Sequence, residues 1–138
     1  MARALAAGFV YFAIVYTAGF VLGVARVFIV APRVGESLAV LLELPVILAV
    51  AWVVCRGLTT AFRVARAPAP RIAMGVFAFL LLMAGELAVS VLFLGRTIAG
   101  HFAAERSFAA DLGLAAQVMF ALFPLVQVGR GPEGPTNF

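Results

Sequence analysis

The sequence predicts an all-α integral membrane protein, a four-transmembrane-helix bundle with both termini cytoplasmic. Three observations carry that expectation. Hydrophobic residues make up 65% of the 138-residue chain and charged residues only 12%, about half the charged share of a soluble domain. The apolar residues fall into four stretches, each long enough to cross about 30 Å of hydrocarbon at about 1.5 Å per residue. The arginines gather where those stretches end, more of them on one side than on the other. A soluble domain of this length could not bury so much apolar surface in one core.

Residues 1–128 read as a single transmembrane domain. The first span is expected over about 6–30, after a basic start at Arg3 that resembles a signal peptide. Its apolar run is too long for a cleaved segment, so an uncleaved span is expected. Pro32 and Gly35 mark the turn after it. The second span covers about 37–55 and ends at Cys55, near a membrane face. The stretch from Arg56 to Arg66 should continue that helix along the headgroups until Pro68 and Pro70 break it. The third span covers about 72–95, and a polar connector runs from Arg96 to Ser107. The fourth covers about 108–128, with Ser107 as N-cap and Asp111 in the first turn, where the helix dipole favours a carboxylate. Residues 129–138 are rich in Gly and Pro and are expected to form a disordered cytoplasmic tail.

Four spans put the termini and the middle loop on one side. Arg3, Arg56, Arg63, Arg66, Arg71 and Arg130 fall there, against Arg33, Arg96 and Arg106 on the other, with Arg26 just inside the membrane. Basic loops stay in the cytoplasm, so the expected location is a bacterial inner membrane, as a multi-pass protein. The aromatics Phe9, Tyr11, Phe12 and Tyr16, and Trp52 near the end of the second span, suit an interfacial belt.

Each span also carries one strongly polar side chain: Arg26, Glu43, Glu86 and Gln117. Counted from the span ends by helix rise, Arg26 and Glu43 lie under about 10 Å deep and Glu86 roughly 14 Å, all in the outer half. Ionisable groups at such depth are costly unless they face protein or a cavity. Arg26 follows Gly23 on the face of the Gly19–Gly23 pair, whose G-x-x-x-G spacing suits close helix packing. Glu36 and Glu43 are one heptad apart, and Arg33 and Arg96 are the expected partners of Glu36 and Asp111. Pro45 and Pro124 leave the carbonyls of Leu41 and Phe120 without their usual helical donors. Arg26, Glu43, Glu86 and Gln117 are therefore the expected solute or proton site. Glu86, the deepest, is the candidate to exchange a proton. A structural lock between helices is the competing reading of the same layer.

The chemistry excluded is as informative. The chain contains no G-x-S-x-G, H-E-x-x-H or Walker pattern, so no catalytic residue is assigned. Cys55 and His101 are the only residues of their types. With Glu105 four residues on as its sole neighbour, His101 does not supply a metal site, and a surface position on a short interfacial helix is expected. No cofactor is implied. The basic residues sit at helix ends rather than in a stripe, so no nucleic acid is expected as a partner. The expected partners are the lipid bilayer and either a second copy or another membrane subunit.

In length and span number the chain is similar to small multidrug-resistance transporters and to dual-topology fluoride channels. Its residues depart from both. The transporters have a glutamate in the middle of the first span, where this chain has Arg26 near the end. The channels' Asn and Phe constellation has no counterpart here, and the arginine bias conflicts with dual topology. No family follows from the residues. The expected function is a carrier or channel for a small polar or ionic solute, linked to protons through a glutamate. The alternative is a non-catalytic accessory or assembly subunit of a larger membrane complex.

Overall fold

The computed structural model describes residues 1–104 and 107–130. Among them are four helices long and apolar enough to cross a membrane: α1 (Ala2–Val34), α2 (Glu36–Ala61), α3 (Pro68–Leu92) and α5, which is α-helical over Phe108–Val126. A short helix, α4 (Ile98–Ala104), lies in the connector before α5. The result is an all-α bundle whose long helices are consistent with membrane-spanning segments.

Proline accounts for most departures from the expected boundaries. The first helix does not stop before Pro32. It passes through a π-helical stretch at Arg26–Val30 and runs on to Val34. After that wider turn Pro32 stands in the first turn of a new α segment, where its missing N–H leaves no gap. Gly35 makes the real break, at φ 88°, a conformation that suits glycine alone. In the same way Pro68 and Pro70 do not end a preceding helix but open α3, with Ala67 extended before them. α2 has already ended at Ala61, so the expected basic extension to Arg66 stops short.

Around the bundle the order is α1, α2, α5, α3, with α1 and α5 each packed on both α2 and α3. Helices α2 and α3 are consecutive in sequence yet stand at opposite corners. The chain crosses between them in residues 62–67, with Arg63 in the left-handed region at φ 50°. Arg71 fastens this crossing. Its side chain is buried and donates from Nε to the Ala65 carbonyl at 3.1 Å and from Nη2 to the Val64 carbonyl at 3.2 Å.

The half of the bundle nearer the termini is closely packed. A Cβ on Gly8 would meet the Met74 carbonyl at 2.8 Å, and one on Gly75 would collide with the Ala121 carbonyl. Tyr11, expected in an interfacial belt, is instead fully buried and stacks on Phe120 with ring centroids 4.2 Å apart. Its hydroxyl donates to the Phe120 carbonyl at 3.0 Å. That carbonyl is the one Pro124 deprives of a helical donor, so the phenol supplies the bond that the proline removes. Cys55 is buried in the same core.

α5 begins as expected, with Ser107 Oγ accepting from the Ala110 N–H at 3.1 Å and Asp111 in the first turn. It ends in a 3₁₀ turn, Gln127–Arg130. Gly129 and Arg130 thus belong to a helix end rather than to the expected tail, and Arg130 lies over the Trp52 ring. The expectation for residues 131–138 lies outside the described residues. The outward faces carry large apolar side chains such as Phe9, Val53 and Leu80, as lipid contact requires.

Candidate functional site

The loop end opposite the termini is built differently. There the helices part around a cavity of about 650 Å³, and Arg26, Glu43, Glu86 and Gln117 all line it. Arg26 opens the π-helical stretch of α1, a local widening that often accompanies functional sites. Its guanidinium spans two turns of α2. Nη1 donates to Glu36 Oε1 at 2.7 Å, and Nε lies 2.6 Å from Glu43 Oε2. The Nε contact is an ion pair that lacks hydrogen-bond alignment.

Exposure separates the two carboxylates on Arg26. The Glu36 side chain is 64% exposed and the Glu43 side chain 18%. Glu36 therefore stands at a solvated rim, where an ion pair contributes little, and Glu43 is the partly desolvated partner. The expected assignment of Glu36 to Arg33 or Arg96 is thereby corrected. The heptad spacing of Glu36 and Glu43 puts both on one face of α2, and one planar guanidinium serves both.

Across the bundle Gln117 Nε2 donates to Glu86 Oε1 at 2.7 Å, tying α5 to α3. Ser90 stands one turn beyond Glu86 and also lines the cavity. Its hydroxyl is buried and makes no hydrogen bond. The four expected site residues thus form two pairs, α1 with α2 and α3 with α5, around one space.

Gly19 and Gly23 depart from their expected role within the chain. They line the cavity, and a Cβ on Gly23 would meet nothing within 4 Å, while one on Gly19 would touch only Ile47 Cδ1 at 3.7 Å. The close backbone contacts of this bundle are at Gly8 and Gly75 instead. Three lining residues were not legible as such in the sequence. Tyr16 packs its ring against Gly85, beside Glu86. Arg96, just after α3, and His101, on α4, also line the cavity. His101 is half-buried there, not a simple surface side chain. Its expected neighbour Glu105 lies outside the described residues.

The amide and the guanidinium can bind and orient a solute, and a carboxylate can in addition exchange a proton. No group of three or more His, Cys, Asp or Glu side chains placed to hold a metal occurs among the described residues. No protein family matches this chain, and neither a curated protein nor a solved structure does. The functional reading therefore rests on the geometry of the site.

Proposed function

We propose that this chain is a small multi-pass carrier of a bacterial inner membrane, with its solute site in the cavity walled by Arg26, Glu43, Glu86 and Gln117. One observation carries the reading: four polar side chains from four different helices converge on a single cavity of about 650 Å³. Ligand pockets run from about 300 to 1,000 Å³, and polar groups at membrane depth mark solute pathways.

The wall reaches down to Val15, Ala51, Leu82 and Phe120, and below it Tyr11 is fully buried against Phe120. A cavity with a packed floor suits a carrier that alternates between states better than an open channel. With the arginine-rich end in the cytoplasm, as basic loops prefer, both termini are cytoplasmic and the cavity lies in the outer half. Glu86, the deepest of the carboxylates, then exchanges solute for protons.

The test is flux in proteoliposomes, followed with a trapped pH dye across a panel of small cations, amines and polar solutes. Glu86→Gln should lower the rate at least tenfold while gel filtration and circular dichroism stay unchanged. Wild-type flux that persists in both Glu86→Gln and Arg26→Ala overturns the reading.

One observation favours a second reading, an accessory or assembly subunit. Arg26 with its two glutamates, and Gln117 with Glu86, satisfy one another as a lock between helices would. A stoichiometric foreign subunit in gentle purification, with no flux from the chain alone, would select it.

A further inference from the structure

We infer that the ligand of this cavity is an amphipathic amine, an ammonium group carried on an apolar body of several carbons. The inference rests on the proposed solute site and names its chemical class.

The cavity is polar at one level and apolar below it. Beneath Glu43 its wall continues through Ile47, Leu48 and Ala51, eight residues and about 12 Å along the helix. Beneath Glu86 comes Leu82, and beneath Gln117 comes Phe120. A bare ion or a fully hydroxylated solute would occupy the polar level alone. The chamber under it would then stay empty, since water needs two to four polar partners that such walls do not offer. An occupant with an apolar body fills that chamber and gains by leaving water.

The sign of the head group follows from what already surrounds the charges. Arg26 is held by Glu36 and Glu43 at 2.7 Å and 2.6 Å. An anion would have to compete with both carboxylates for one guanidinium, and would also face Glu86 in the same wall. An ammonium group meets acceptors instead. The Glu86 carboxylate, which accepts from Gln117 Nε2 and as a carboxylate can accept more than one donor, lies one turn from the Ser90 hydroxyl on α3, and that hydroxyl is buried without a hydrogen-bond partner. The Tyr16 ring lines the same wall, an aromatic surface of the kind that attracts cations. Arg96 is exposed at the mouth, where solvent and salt screen its charge.

Calorimetry on the full chain in phosphatidylcholine nanodiscs tests this, with empty nanodiscs subtracted for partitioning. The titrants are n-alkylammonium ions of increasing chain length and the matching alkyl sulfates. Amine affinity should rise about fourfold per methylene until the chamber is full. Matched sulfates should bind at least tenfold more weakly, and Glu86→Gln should cost the amines at least tenfold. Equal affinity for amine and sulfate, or no dependence on chain length, overturns the inference. Both of those arms use the unaltered protein, so they hold even where the variant does not fold.

Replacing half of the lipid by phosphatidylethanolamine distinguishes two sources of the amine. Competition assigns it to a bilayer lipid and its absence to a free solute, and either keeps the class. Glu86-dependent flux of another solute without amine binding overturns the class and leaves the carrier standing. Amine binding without any flux does the reverse.

Discussion

Near the termini the helices meet through glycine. Gly8 lies against the Met74 backbone and Gly75 against Ala121, and the Tyr11–Phe120 stack closes the space between them. At the opposite end Gly19, Gly23 and Gly113 line the cavity, Gly23 and Gly113 with open space before them and Gly19 facing only the tip of Ile47, and charged and amide side chains take over as the links between helices. The same residue type seals one half and hollows the other. The difference lies in what stands opposite. A glycine facing another backbone permits close approach, and a glycine beside long polar side chains leaves room for them to fold inward. A bundle made only of the first half would be a solid plug, and one made only of the second would have no rigid base on which to hold Glu43 and Glu86 apart.

The sharpest way to break this contrast is to add one methyl group in each half. Gly75→Ala should destabilise the bundle by about 1–3 kcal/mol, because its Cβ runs into the Ala121 backbone and neither helix can yield without moving the other. Gly23→Ala, also in a helix interior, should leave stability within about 0.5 kcal/mol of the parent or raise it slightly, since alanine is the better helix former. Unfolding in mixed micelles reads both. Equal losses would mean that the two halves are packed alike.

A smaller effect is expected at the stack that divides them. Tyr11→Phe keeps the ring but strands the Phe120 carbonyl, at a cost of about 1 kcal/mol. Pro124→Ala restores a helical N–H four residues after Phe120. The double variant should therefore lose less than the sum of the single losses, by several tenths of a kcal/mol in a double-mutant cycle. Strict additivity would show that the phenol does not serve that carbonyl.

The smallest change is expected outside the contrast, in the loop that joins α2 to α3. Arg63→Gly relieves a left-handed residue and should stabilise by about 0.5–1 kcal/mol, read as a small rise in melting temperature. A loss of stability instead would show that the guanidinium contributes more than the backbone strain costs.

Several features of the site could be read before any fold was known. Arg26, Glu43, Glu86 and Gln117 stand out because each interrupts an apolar run, and their common depth follows from counting residues along helices. The heptad from Glu36 to Glu43 places both on one face, though not against Arg26, because the partner of a charged side chain is set by helix neighbours. Glu36 was assigned by level to Arg33 or Arg96, yet the π-helical stretch and the packing of α1 on α2 give it to Arg26. Tyr11 shows the same limit. Its position near the start of a span suits a membrane interface, and the orphaned Phe120 carbonyl was visible from Pro124, but nothing along the chain links two residues 109 positions apart.

By itself the sequence determined that the chain forms long apolar helices, roughly where they end, and which polar groups cannot face lipid. Those properties are local: hydropathy, helix rise and the missing donor of proline act within a few turns. Only the tertiary structure decided which glycines touch, which carboxylates share the guanidinium, and that a hollow lies between the two polar pairs. Each of those depends on the order in which helices surround one another. That order places consecutive α2 and α3 at opposite corners, and it is chosen by the sum of all side-chain contacts rather than by any one stretch of chain.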